Sequence, residues 1–501
     1  MPSNIVASDA ARMPCRIVTA LMLAAIMAAI VWACWTRGAW YDEFYTQFVS
    51  RADVPWHVAM RESWIVDNHP PLFYALARAT AWMGGIDTHR LLNLLIGAAA
   101  AAGGLIVVRD VPRLGPAAAT LVLAIGANQW TMTAGSELRS YFLSLCAGGV
   151  LVLGLCAIRL TGTAGSHARQ AVYWIAAMLA FNTHIVTSLT SAVLVGVFLL
   201  AALVRRDWWE ARAIALAPLV AGAIFTAITA VQLPIWLNNT TVFWITGGFH
   251  AARWTLEMLI LRTLVANPVL LAGALAGGVL LARDVLWQRR SSGEAGALAL
   301  LVLGVLASIA GLVALHLMRP IVVEKYLMAL IAAIMMGMAL AFSRLLSALG
   351  PRARAVLFIL AAGVSVPALL QNARDAATED NWFSSGRAVT AMVRQCPGSV
   401  VHTGEIWNDD LLAMLPRDNA RVVPYSYRYV ADRLDFRLEP KGSKRMGQRC
   451  PTIFWGEHDT SRRVTLSGTR QRLEAEGWPP MPALGLRHIG GGWIAVLPPQ
   501  S

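Results

Sequence analysis

Ile17–Trp35 runs without a charge, and at Arg37-Gly38-Ala39-Trp40-Tyr41-Asp42-Glu43-Phe44 it gives way to a polar stretch carrying two adjacent carboxylates. A bilayer span needs about 20 apolar residues, so this boundary sets a membrane helix against an acidic pair at the membrane surface. Carboxylates are costly in hydrocarbon; just outside it they bind a cation or take up a proton. Arg12 and Arg16 precede the run as in a signal peptide, and Val31-Trp32-Ala33-Cys34 approaches a lipoprotein cleavage site. Bulky Trp32 fits such a site poorly and further spans follow, so an uncleaved anchor is expected.

The remaining composition agrees. The 501 residues are 57% apolar and 14% charged, against about 25% charged in soluble domains. Residues 372–501 hold 31 of the 71 charged side chains, so the first 371 are poorer still. The expected fold class is an α-helical polytopic membrane protein, residues 1–371, with a soluble α/β domain at 372–501. Spans are expected near 17–35, 90–108, 115–133, 140–158, 211–233, 263–282, 297–317, 326–343 and 353–370. The run 171–204 is long enough for two more, broken at Asn182-Thr183-His184. Pro70–Met83 is short and carries Arg78 in its middle; it reads as a surface helix within an outer loop, 36–89.

Loop charge orients these eleven spans. With a cytoplasmic N-terminus, one side collects fifteen arginines, among them Arg109, Arg113, Arg159, Arg205, Arg206, Arg289, Arg290 and Arg352, with six acids. A twelfth span at Pro70–Met83 would scatter them over both faces, against the positive-inside rule. The net charge of +13 therefore follows topology and does not call for nucleic acid. The tail then lies outside.

That outer face gathers the unusual side chains. Asp42, Glu43, Asp67, Asn68 and His69 lie in the first loop, Glu137, Arg139 and Tyr141 in the second, His184 at the break in 171–204, and Arg319, Glu324, Lys325 and Tyr326 in the last. Trp236, Trp244, Phe249 and Trp254 mark a segment suited to an interface. Lys325 is the first lysine of the chain; the next is Lys441. Each residue alone has a plain reading: a solvated loop start for Asp42 and Glu43, a local ion pair for Glu137 and Arg139, a satisfied backbone carbonyl for His184, a snorkelling side chain for Lys325. Their convergence on one membrane level favours function. No GxxxxGK[ST], HExxH or CxxC occurs, so a P-loop or a familiar zinc site has no support. Cys396 and Cys450 share the tail and could pair if that compartment is oxidising.

Taken in order, the motifs resemble those of the GT-C glycosyltransferases. Tyr41-Asp42-Glu43-Phe44 resembles the acidic signature after the first span, and Asp67-Asn68-His69-Pro70-Pro71-Leu72-Phe73-Tyr74 the element that follows it. His89-Arg90-Leu91-Leu92-Asn93-Leu94-Leu95 is similar to the start of the second span, without its proline. Glu137-Leu138-Arg139-Ser140-Tyr141, Thr183-His184 and Glu324-Lys325-Tyr326-Leu327 resemble the later elements, the last with Lys for Arg. The resemblance covers roughly residues 36–330 and is nearest to the protein O-mannosyltransferase and lipid A aminoarabinose transferase branch.

It implies transfer of a sugar from a polyprenyl-phosphate donor to a lipid, glycan or protein acceptor at the outer face of a bacterial inner membrane. Asp42 would be the catalytic carboxylate and Glu137 the second acid, positioning the donor or sharing a divalent cation with Asp42. Lys325 and Arg139, with Tyr326, would hold the donor phosphate, and Glu43, His69, Tyr141 and His184 would support. Elementary chemistry runs the same way. Nucleotide sugars are cytoplasmic, so an outer-face transferase needs a lipid-carried donor. Inverting transfer needs one base, phosphate needs cations to leave, and a hydrolase wants two carboxylates flanking one bond. Two other classes stay open: a transporter or flippase, which usually shows internal repeats and charges at the midplane, and an O-antigen polymerase or ligase, which typically uses loop arginines without an acidic pair. In the tail, strands are expected at Ser399–His402, Arg421–Tyr425, Pro451–Trp455 and Trp493–Leu497, and helices at Ser384–Arg394 and Arg462–Glu476; the domain would recognise acceptor, cover the site, or serve as a structural cap.

Overall fold

An apolar segment in a bilayer must satisfy its own backbone polar groups, and a helix is how one segment does so. The computed structural model describes residues 3–67, 69–238, 245–288, 293–379, 381–403, 416–457 and 464–499. Asn68, Trp244, Arg289, Arg290 and the start of the expected Arg462–Glu476 helix lie outside the described residues. The chain begins with α1 (Ser3–Thr36), then the loop helices α2 (Tyr41–Val49), α3 (Trp56–Ala59), α4 (Leu72–Ala79) and α5 (Ile86–His89). Next come α6 (Leu92–Asp110), α7 (Gly115–Ala127), α8 (Gln129–Gly135), α9 (Tyr141–Thr161), α10 (His167–Thr183) and α11 (Ile185–Val204). The bundle closes with α12 (Trp208–Asn238), α13 (Phe249–Val265), α14 (Pro268–Gln288), α15 (Gly293–Met318), α16 (Met328–Ala348) and α17 (Pro351–Thr378), and α18 (Trp382–Gln395) opens the tail.

Among the described residues, nine helices are long and apolar enough to cross a membrane. The 13-residue α7 and the 17-residue α10 stand where the other two expected spans fall. Close helix approach is set by small residues: in Gly273-Ala274-Leu275-Ala276-Gly277 of α14, a Cβ on Gly277 would lie 1.8 Å from the Ala341 carbonyl oxygen of α16.

Several boundaries differ from expectation. The run 115–133 is two helices, because buried Asn128 turns extended and its side chain accepts the Trp130 N–H at 2.9 Å, capping α8. α17 continues to Thr378, past the expected boundary at 371, with Asn372 donating to the Ala127 carbonyl at 2.9 Å. Within Pro70–Met83 the helix α4 is only 8 residues long, and it turns Phe73, Tyr74 and Ala77 inward. Arg78 donates to the carbonyls of Arg51 and Ala52, at 2.7 and 3.3 Å. Reporter fusions after Arg113 and after Glu379 are expected to report opposite sides of the membrane; the same side for both would break the eleven-span topology.

The tail holds a four-stranded sheet in the order β1-β2-β4-β3. β1 (Val400–Thr403) runs parallel to β2 (Thr452–Glu457), while β4 (Gly492–Leu497) is antiparallel to both β2 and β3 (Gly485–Ile489). The expected strand Arg421–Tyr425 is instead part of a helix, Pro416–Arg433. Val422, Val423, Ser426, Tyr427, Val430 and Ala431 are buried, at spacings that fall on one helical face. β3 carries mostly exposed residues and gave no apolar signal. A disulfide joins Cys396 to Cys450. Tail and first loop share one apolar core: Phe44, Tyr45, Trp64 and Tyr74 belong to the same cluster as Trp382, Tyr427 and Trp455. Polar pins secure this seam, with the Ile86 N–H donating to the Tyr429 hydroxyl at 2.8 Å and the Tyr425 hydroxyl donating to Gln47 at 2.9 Å.

Candidate active site

Adjacent residues on a helix point about 100° apart, and α2 uses this to separate its two carboxylates. Glu43 turns inward, with a side chain 0% exposed, and its two oxygens accept from Nε and Nη2 of Arg90, both at 2.7 Å. It also accepts the Leu138 N–H at 2.8 Å. Arg90 spends its remaining donors on the carbonyls of Cys34, Arg37 and Gly38. This bidentate pair welds the ends of α1 and α2 to the second loop. Glu43 is therefore buried and ion-paired, unlike the solvated loop start that is its plain reading from sequence.

Asp42 turns the other way, its side chain 28% exposed, onto a cavity of about 610 Å³. Trp40, Tyr141, Lys325 and Tyr326 line the cavity with it, and the end of α17 supplies Asn372, Asp375 and Glu379. The Lys325 ammonium sits 3.8 Å from the centroid of the Trp40 ring and 3.3 Å from Glu137 Oε1. Glu137 is fully buried behind the wall and also accepts from Arg37 at 2.9 Å. Burial alone would raise its carboxyl; Lys325 and Arg37 outweigh that and hold it below the ordinary range. Arg37 reaches on to Glu379 at 2.7 Å, tying this chain of charges to the end of α17.

Beneath Asp42 lies a second group of polar side chains. Arg139 is 5% exposed and stands 3.6 Å from Asp42, 3.1 Å from the Thr46 hydroxyl and 3.4 Å from His69 Nε2. His69 Nδ1 faces Asp67 at 3.0 Å, and the Tyr74 hydroxyl donates to the same carboxylate oxygen. Burial alone would raise the Asp67 carboxyl, but His69 and Tyr74 more than offset this and hold it low. His184 caps α11 by accepting the Val186 N–H at 3.2 Å, so it satisfies a backbone donor rather than the expected carbonyl. Burial, with His69 and Arg139 nearby, pushes its ring well below the ordinary histidine range. Its ring packs 4.5 Å from Tyr326 and 5.0 Å from His69.

The residues singled out in the sequence therefore sort into two layers. Asp42, Tyr141, Glu324, Lys325 and Tyr326 line the cavity, whereas Glu43, His69, Glu137, Arg139 and His184 stand behind it. Sequence reasoning singled out Asp67 without giving it a role, and missed Arg37, Trp40 and Glu379 as partners. Arg37 carried a signal, being a basic residue just past the first span and beside the acidic pair. For a divalent cation the expected donors are Asp42 and Glu137. Glu137 is already neutralised by two cations, and among the described residues no group of three or more His, Cys, Asp or Glu is placed to hold a metal. This donor set fits a cation poorly, and no step below uses one. Another cavity, of about 460 Å³ beside Cys396, shares none of these residues.

Among solved structures, the chain is similar to ArnT from Cupriavidus metallidurans in the apo state, over 95% of this chain and 97% of that one, at 13% identity and a TM-score of 0.53. It is similar over the same shares to ArnT from Cupriavidus metallidurans bound to undecaprenyl phosphate, at 12% identity and a TM-score of 0.51. No protein-family model matches the chain. No curated protein sequence matches it either. The likeness shows that this chain shares the fold of these two structures along nearly its whole length.

Proposed function

We propose that the chain transfers a sugar, with inversion, from a polyprenyl-phosphate donor to a hydroxyl of a lipid, glycan or protein at the outer face of a bacterial inner membrane. The observation that carries the reading is the Asp42 carboxylate sharing a cavity wall with the Lys325 ammonium, while Glu379, on the same wall, is already paired with Arg37. ArnT has been solved with undecaprenyl phosphate bound, which makes a polyprenyl phosphate the natural donor class to test here. Asp42 accepts the proton of the acceptor hydroxyl as its oxygen bonds to the anomeric carbon. The bond from that carbon to the phosphate oxygen breaks, and its electron pair leaves with the phosphate beside Lys325. Burial raises the phenol of Tyr326, so it stays protonated and donates to the same anion. The Cys396–Cys450 disulfide suits a tail outside the cytoplasm.

Cells lacking the chain are expected to accumulate the polyprenyl-phosphate sugar that it consumes, and lipid extraction with mass spectrometry names that sugar. An unchanged lipid-linked pool overturns the reading. Lys325→Ala is expected to weaken donor use far more than Lys325→Arg, because charge beside the leaving phosphate is what the site requires. Unchanged donor kinetics in the alanine variant would reduce Lys325 to packing on Trp40 and Glu137.

A further inference from the structure

Asp67, His69 and Arg139 form a line, buried at Asp67 and Arg139 and partly buried at His69, that ends on Asp42. Asp67 is 3% exposed, yet its carboxylate commits one oxygen to two donors, His69 Nδ1 and the Tyr74 hydroxyl. A carboxylate held ionised accepts from Nδ1–H, which leaves the lone pair of Nε2 free for the Arg139 N–H at 3.4 Å. Arg139 in turn faces Asp42 at 3.6 Å and Thr46 at 3.1 Å. The backbone beneath this line is fixed from the membrane side: the buried Gln232 amide of α12 donates to the carbonyls of Asp67 and His69, both at 3.1 Å. Burying a charge and an amide to hold one histidine is costly unless its orientation matters.

We propose that Asp67 is a positioning residue for the transfer reaction: it sets the His69 tautomer that accepts from Arg139, and Arg139 then holds the Asp42 carboxylate toward the cavity. The proposal rests on the glycosyltransferase reading for its catalytic consequence, but not for its geometry. In the other tautomer an Nε2–H would oppose an Arg139 N–H, donor against donor, and the guanidinium would be turned from Asp42. Asparagine at position 67 permits that reversal, because its amide can donate to Nδ1 where a carboxylate can only accept.

Two measurements test this. Nitrogen-15 NMR of histidine-labelled protein, with the His69 signal identified by its loss in His69→Gln, is expected to show Nδ1 protonated and Nε2 bare. Asp67→Asn is expected to move His69 toward the opposite tautomer. A protonated Nε2 in the unaltered protein, or an Asp67→Asn signal identical to it, overturns the proposal whether or not transfer is ever detected. In the transfer assay, Asp67→Asn is expected to lower kcat about 10–100-fold, the scale on which supporting partners of a functional group act, with KM for the donor unchanged. His69→Gln keeps an acceptor for Arg139 and is expected to retain part of the activity, and adding Asp67→Asn to it is expected to cost little more. Fully additive losses in the double variant would show that the two residues act separately and sink the line. Absence of transfer by the unaltered protein would count against the glycosyltransferase reading, and the NMR result would still decide the tautomer.

Discussion

Asp42→Asn is expected to abolish transfer while leaving the protein folded and inserted. Asparagine keeps the size and one acceptor of aspartate but cannot take a proton from an incoming hydroxyl. A general base contributes about 10²–10⁴-fold, so a loss of that order is anticipated with purified protein and lipid-linked donor. The side chain lies at a cavity wall, partly in solvent, and its ionic neighbour Arg139 keeps Thr46 and His69 as partners. Thermal stability in detergent is accordingly expected to change little. Turnover near that of the unaltered protein would remove the enzyme reading at its centre and bring the transporter class forward.

Glu43→Gln, one residue along, is expected to do the reverse. It breaks a pair in which both side chains are 0% exposed and leaves the Arg90 guanidinium charged and unmatched among the carbonyls of Cys34, Arg37 and Gly38. Removing one member of a buried ion pair costs about 3–5 kcal/mol, a large share of a typical stability of about 5–15 kcal/mol. A sharply lower unfolding temperature is expected, with any remaining folded protein still able to turn over. Equal stability in the Glu43 and Asp42 variants would mean that Glu43 is solvated after all.

The two predictions differ although the residues are neighbours, and the difference marks how far the sequence was readable. An apolar run, a break at His184 and an acidic pair after a span are local patterns, visible wherever a helix must bury its own backbone. The strand expected at Arg421–Tyr425 failed because two valines in a row fit a strand or a helix face equally well. Only the buried positions four residues further on, Ser426 and Tyr427, resolve the choice. Arg37 went unread as a partner because Glu137 and Glu379 are remote in the chain and nothing in the intervening sequence marks the meeting.

The sequence by itself determined a helical membrane protein with a small mixed tail, the helix order, and a set of polar residues concentrated in the loops of one face. These follow from hydropathy and charge, which act on each segment separately. Tertiary structure alone decided which member of Asp42–Glu43 meets the cavity, which cation each carboxylate takes, and that the first loop packs with the tail. The physical reason is that a rotation of about 100° per residue sends adjacent side chains into different surroundings. Those surroundings are supplied by Arg90, Arg139 and the α17 end, which only folding brings to the same place.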